Sequence, residues 1–353
     1  MDIRGTGTRG SGARATVLTM VLVAATALAA CSSSASDGAG SGGSTTTTKA
    51  SAGESGAPAA EGEFRLLSYN VAGLPAEISK EHPDVNIPKI SPLLNDYDVV
   101  MTQEDFDWWK PDGLASKADF TNYHDRLRAD TTHEFQTEQH PGAEAVGIDI
   151  EADRPNMELG DGLGVLSRFP ISDTERIPWD GCFGEFDSGA SDCLAMKGFL
   201  VTRLELADGV EVDLYDLHGE AGGGPEDQAL QAEDFEQLAA YIEEHSAGRA
   251  IILGGDTNLH TDPPGDDAHE DSADGEDVEI WNRFLEATGL TDACTATECD
   301  GPGRIDKVAY RSDDGIEFQA EHHEFETDVF VDEAGEALSD HEALEVVFTW
   351  KKE

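Results

Sequence analysis

Basic side chains are scarce in this chain: 23 Lys and Arg stand against 73 Asp and Glu in 353 residues, a formal net charge of −50. So acidic a surface repels a polyphosphate backbone except where a metal or a local cation intervenes, which disfavours an extended nucleic-acid duplex as partner. No basic run interleaved with aromatics offers a single-strand platform either. The same balance also suits solubility in high salt, a reading that says nothing about substrate. Internal repeats are absent, and the apolar stretch from Val17 to Ala30 is too short for a comfortable bilayer span. Cysteines number only five.

The N-terminus carries an address. Arg4, Arg9 and Arg14 form a basic leader, the apolar stretch follows, and Leu28-Ala29-Ala30-Cys31 closes it. This looks like a bacterial lipoprotein signal over residues 1–30, with Cys31 lipidated; plain secretion beside a stray cysteine is the alternative. Residues 31–62 turn to Ser, Gly, Thr and Ala, including Ser44 to Thr48, and cannot bury enough apolar surface to offset their ordering entropy. They form a tether, and residues 63–353 suffice for one large α/β domain. The expected location is exported, anchored by lipid to the outer face of the cell membrane or extracellular. With Cys31 taken, an even four remain, which in an exported protein favours two disulfides. The simplest of three connectivities joins Cys182 to Cys193 and Cys294 to Cys299, and neither pair has the spacing of a zinc knuckle.

Strand-like runs recur at residues 64–71, 98–103, 162–167, 197–206, 210–218, 250–255, 305–310 and 344–350, several stopping at Gly, Asn or Asp. Leu230, Phe235, Leu238 and Ile242 give Pro225 to His245 helical spacing, and a second helix is expected over Asp277 to Thr288 with Gly289 as its stop. Strands outnumber helices and some follow one another directly, which fits two packed mixed sheets flanked by helices. Asp262 to Glu279 holds nine acidic residues among Pro, Gly and Ser and is expected to be a solvated loop; a calcium site there lacks an EF-hand pattern.

Five apolar runs end in residues that bind metals or move protons: Asn70, Gln103-Glu104, His218, Asp256 with Asn258, and Asp340-His341. A buried strand has no packing use for such groups at its end, so their repeated placement there points to one functional rim. In order and spacing these segments resemble the endonuclease/exonuclease/phosphatase superfamily of metal-dependent phosphoesterases, over about Phe64 to Trp350. Asn70 to Pro75, Gly162 to Pro170 and Lys197-Gly198 look more like its sphingomyelinase side than its nuclease side.

The resemblance implies a four-layer α/β sandwich and a role for each residue. Glu104 is similar to the principal metal ligand, with Asn70 beside it and Asp256 and Asp340 as further ligands; Mg²⁺ is the implied cation and Mn²⁺ the substitute. Asp256 corresponds to the group that orients or deprotonates water, Asn258 and His218 to phosphate contacts, and His341 to the essential histidine held by Asp306. In an extended segment Asp256 and Asn258 would point the same way. Many members carry Asn where Asp216 stands. His82, His124, His133, His140, His260, His269, His322 and His323 lack a strand-end context and are expected at the surface or in loops. Phe106, Trp108 and Trp109 suit either core or an apolar lip. The expectation is a monomeric phosphodiesterase acting on a lipid headgroup, with an extracellular nuclease and a catalytically silent binding lipoprotein as alternatives.

Overall fold

The computed structural model describes residues 61–74, 79–106, 123–155, 157, 159–184, 191–261, 276–313 and 315–352. All of them fall in one compact unit, Ser55–Glu353. The strands in chain order are β1 (Glu61–Asn70), β2 (Val99–Gln103), β3 (Phe135–Gln136), β4 (Gly164–Ser167), β5 (Ile171–Pro178), β6 (Gly198–Ala207), β7 (Val210–His218), β8 (Ile251–Asp256), β9 (Thr291–Asp292), β10 (Asp306–Arg311), β11 (Ile316–Phe325) and β12 (Leu344–Lys352). The helices are α1 (Pro83–Leu93), α2 (Tyr123–Arg128), α3 (Ile150–Asp153), α4 (Pro225–His245), α5 (Glu276–Thr288) and α6 (Ala293–Thr297).

The strands form two six-stranded sheets, ordered β11-β12-β1-β2-β4-β3 and β5-β6-β7-β8-β10-β9. Each sheet is antiparallel except for one parallel pair, β1 with β2 and β7 with β8. Phe64, Leu66, Met101 and Val165 of the first sheet meet Leu204, Leu214, Ile252 and Val308 of the second in one dry core. The outer face of the first sheet buries Leu67 and Tyr69 against Ile87 and Ile90 of α1, and that of the second buries Tyr215 and Leu253 against Leu238 and Ile242 of α4 and Phe284 of α5. That makes four layers, the expected sandwich.

Strand direction places the site. Asn70 is in register with Gln103 at the ends of β1 and β2, and His218 with Asp256 at the ends of β7 and β8. Asp306 opens antiparallel β10 opposite Asp256. The segment carrying Asp340 and His341 runs into β12, whose Leu344 pairs with Ser68. Every chemistry-bearing strand end therefore reaches the same edge of the sandwich.

All eight expected strands and both helices form. The sequence reading missed α1, whose interior holds Pro88 and Pro92, and the edge strand β5, which has no fully buried residue and shows no alternation. It also missed β11, where Ile316, Phe318 and Ala320 do alternate with exposed residues but among five charged or imidazole side chains. Helix α5 starts at Glu276, so residues 276–279 are helix and not loop: Glu276, Asp277 and Glu279 sit at the electropositive end of its dipole. Residues 262–275 lie outside the described residues. Leu230 is half-buried, and Asp227, Gln228, Gln231 and Asp234 take the inner face of the first turns of α4. The bridges pair neighbours, Cys182 with Cys193 and Cys294 with Cys299.

Phe348 of β12 is fully buried and stacks on Phe64 at 5.7 Å, with Tyr310 edge-on at 5.4 Å. Phe348→Ala is expected to cost about 3–5 kcal/mol in urea unfolding with an unchanged m-value, the range for emptying an aromatic site in a core. A loss under about 1 kcal/mol would contradict this packing.

Candidate active site

Glu104 leaves β2 with φ 59°, a left-handed conformation that most side chains avoid. Gly73 gives it room, since a Cβ there would lie 2.1 Å from the Glu104 carbonyl oxygen. Asn70 then joins the two sheets. Its Nδ2 donates to Glu104 Oε1 at 3.2 Å and to Asp256 Oδ2 at 3.0 Å, while its Oδ1 accepts the Ala72 N–H at 3.0 Å. The Ala72 contact decides which way the amide faces, so Asn70 meets the carboxylates as a donor.

Asp256 gathers nitrogen. Beyond Asn70, its Oδ2 lies 3.4 Å from His218 Nε2 and 3.7 Å from His341 Nε2, and its Oδ1 accepts the Asn258 N–H at 3.0 Å. Burial alone would raise this carboxyl, but His341, His218 and Lys197 reverse the effect and hold it below its usual value. His341 Nδ1 sits 2.8 Å from Asp306 Oδ2, which fixes the ring and its tautomer. Burial opposes the charged imidazole here, yet Asp306, Asp256 and Asp340 outweigh it and keep His341 well above the ordinary value. His218 has no such partner: burial, then the Lys197 charge, push it down to about 3, and its Nδ1 is buried without a partner. The site thus holds one protonated and one neutral imidazole beside one carboxylate.

Asn258 departs from expectation. Its φ of 52° turns the chain out of the extended form, because its own N–H bonds back to Asp256, and its Nδ2 donates to the Gly219 carbonyl at 3.1 Å. Asp340 is exposed, and Ser339 anchors its segment by donating to the Asn70 carbonyl at 2.7 Å while accepting the His341 N–H at 3.2 Å.

Several residues near the site went unassigned in the sequence. Lys197 Nζ ion-pairs with Asp192 and donates to the Gly219 carbonyl at 3.1 Å, the same oxygen that holds Asn258. Behind them lie Glu220 and Asp234, pushed by burial up to about 8 and about 9. Nothing in a single sequence marks a buried Lys on a strand approach. Of the histidines expected at the surface or in loops, His133 and His140 lie in loops though buried, and His124 departs from both, being buried within α2. His124 lies 3.5 Å from Asp105, the His133 ring meets the Tyr97 carbonyl at 3.0 Å, and His140 Nδ1 accepts the Gly142 N–H. Phe106 is core, packed with Leu159 and Ala195; Trp108, Trp109, His269 and Cys31 lie outside the described residues.

The Endonuclease/Exonuclease/phosphatase family model matches residues 67–341, the span that contains every one of these groups except Cys31. The chain belongs to this family. It is 31% identical over 313 residues to a sphingomyelinase of Mycobacterium bovis, an alignment covering 84% of this chain and 54% of that protein. The chain therefore spans about half the length of the curated relatives it matches. Among solved structures it resembles sphingomyelinase C from Streptomyces griseocarneus, with TM-score 0.52, 17% identity and coverage of 81% of this chain and 99% of that one. It also resembles a beta toxin variant from Staphylococcus aureus solved with bound magnesium ions, with TM-score 0.51, 16% identity and coverage of 81% and 99%. At these identities the likeness concerns the fold.

The family member's donor set fits a hard divalent cation. Donor atoms of Asp256, Asp306 and His341 lie within 4.8 Å of one another, but His341, held protonated by Asp306, has no lone pair to offer, so the carboxylates of Glu104 and Asp340 are the groups that fit a cation. Burial raises the Glu104 carboxyl despite Asn70, His341 and Lys197, so a further positive charge beside it is what would complete the balance.

With cations removed by chelator, ring titration by NMR should show His341 protonating well above 6.5 and His218 staying neutral down to about pH 3. Asp306→Asn should lower His341. Because the folded value of His341 is raised, its stabilising effect is complete below about 6.5 and fades as pH rises through the folded value. The variant should therefore lose melting temperature mainly at acidic and neutral pH and converge with the parent at alkaline pH. An unmoved His341 in Asp306→Asn would refute the pairing.

Proposed function

We propose that this domain is a divalent-cation-dependent phosphodiesterase acting on a phospholipid or sphingomyelin-like headgroup at the outer face of the cell membrane. The observation that carries the reaction class is Asp256, held ionised between two imidazoles of opposite protonation and tied through Asn70 to Glu104. Glu104 and Asp340, beside Asn70, would hold the cation, which when bound supplies charge stabilisation to the phosphoryl oxygens. No nucleophilic Ser or Cys takes part. Asp256 is placed to orient and deprotonate a water for in-line attack. His341, kept protonated by Asp306, donates from Nε2 toward the oxygen on which charge builds, and neutral His218 offers a second Nε2–H. Lys197 keeps Asp256 ionised and helps hold the Gly219 carbonyl that positions Asn258. Positioning and electrostatics are what phosphoryl transfer asks of a protein.

The lipid headgroup is favoured by the sphingomyelinase relatives and by the net charge of −50, which opposes a nucleic acid held through many phosphates. The surface location rests on the leader before Cys31 and the tether after it. Mass spectrometry of envelope protein should find the N-terminal peptide acylated at Cys31; an unmodified thiol or an uncleaved leader would refute anchoring.

Incubated with sphingomyelin, phosphatidylcholine, inositol phosphates and DNA, the protein should cleave a headgroup diester, stop in excess EDTA and recover with Mg²⁺ or Mn²⁺. His341→Ala and Asp256→Asn should each lower turnover by at least about 10²-fold without lowering the melting temperature enough to unfold the protein at assay temperature. Full activity in EDTA would sink the cation dependence. Efficient DNA cleavage with a steep salt slope and no headgroup release would replace the lipid reading by the nuclease one.

A further inference from the structure

The site straddles two sheets, with Glu104 on one and His218, Asp256 and Asp306 on the other. Their facing surfaces are apolar, and apolar contact is non-directional, so it does not by itself fix how one sheet is set along the other. One polar bond crosses inside the site, Asn70 to Asp256. A second lies directly beneath. Gln103, the residue before Glu104, extends Nε2 across the core to Asp216 Oδ1 at 2.6 Å, and the Gly164 N–H of β4 reaches Asp216 Oδ2 at 3.3 Å. Gln103 and Asp216 have no exposed surface. Asp216 stands two residues before His218, on the same face of β7.

On the phosphodiesterase reading above, we infer that Asp216 is a positioning residue: through Gln103 and Gly164 it locks the first sheet to the second and so sets where Glu104 stands relative to His218 and Asp256. Either protonation state of Asp216 can make this tie, and burial favours the neutral one. Gln103 Oε1 is buried without a partner as the amide stands. Turning that amide over brings its oxygen to Asp216, where a protonated carboxyl donates to it, while Oδ2 still accepts from Gly164 and Ser68 Oγ, 3.4 Å from the same amide position, becomes a donor. Burial drives the Asp216 carboxyl well above its ordinary value; Gln103 and Gly164 act against it and the carboxylates Asp105 and Asp161 reinforce it. Those two are themselves paired, Asp105 with Arg128 and Asp161 with Arg176.

The test compares Asp216→Asn, Asp216→Leu and Gln103→Leu in the full chain. Asn keeps an acceptor for Gly164 and a donor for Gln103, so it should retain Mn²⁺ affinity, read by electron paramagnetic resonance, and kcat. Each Leu variant should weaken Mn²⁺ binding by about 10- to 100-fold, the cost of losing a group that orients a ligand, with a matching fall in kcat. In chelator, where no cation contributes, Asp216→Asn should gain melting temperature over the parent as pH rises above the ordinary carboxyl range. A carboxyl raised in the folded state costs stability as pH climbs toward its folded value, and Asn is spared that loss. Wild-type Mn²⁺ affinity and kcat in both Leu variants would overturn the inference; so would Asp216→Asn losing as much as Asp216→Leu, which would assign the role to a charged carboxylate. If Asp216→Leu fails to fold, Gln103→Leu tests the same tie from the other sheet. Should the parent cleave none of the substrates, the phosphodiesterase reading falls, while Mn²⁺ affinity and the pH series still report on Asp216.

Discussion

One amide group holds the two halves of the site together. Asn70 ends a strand of the first sheet and donates both to Glu104 of its own sheet and to Asp256 of the other. Without such a donor, two half-buried or buried carboxylates would face each other with only repulsion between them. The amide can serve because its oxygen is already bound to Ala72 and its strand end is pinned from outside by Ser339. Three further features follow from this arrangement: Glu104 must turn back through a left-handed conformation, Gly73 must lack a side chain, and the Ser339 to His341 segment must pass directly over the end of β1.

The parallel pairs explain why the rim exists at all. In an antiparallel meander, successive strand ends alternate between the two edges of a sheet, and functional residues at consecutive C-terminal ends would be scattered. Here each sheet contains one parallel step, β1 to β2 and β7 to β8, and each step delivers two C-terminal ends to the same edge. Packing the sheets face to face then brings four such ends together. The helical covers over the outer faces are what allow parallel strands to be buried on both sides.

Much of this was readable because the signal is a contradiction within short segments. An apolar run that ends in Glu104, His218 or Asp256 has no packing reason to do so, and the runs themselves mark the strands. What was not readable depended on neighbours distant in sequence. Asn258 looked extended until its N–H found Asp256, and His133 showed no sign of burial until Tyr97 covered it. Pro88 and Pro92 concealed α1, since proline inside a helix normally argues against one. Lys197 carries no local mark of burial; only the fold brings Asp192 and the Gly219 carbonyl to it.

The two imidazoles show how the surroundings, not the residue type, assign chemical roles. His218 and His341 approach the same oxygen of Asp256 at 3.4 and 3.7 Å, and each presents Nε2 to it. Behind His341 stands Asp306, which accepts from Nδ1 and makes the cation the favoured form. Behind His218 there is no acceptor, and the nearby charge is the Lys197 ammonium, so burial prevails and the ring stays neutral. The His341 cation and the Lys197 ammonium offset the cost of burying the Asp256 charge, which two neutral rings alone would not do. With one of each, Asp256 stays ionised, its Oδ1 accepting from Asn258 and its Oδ2 from Asn70 between the two rings.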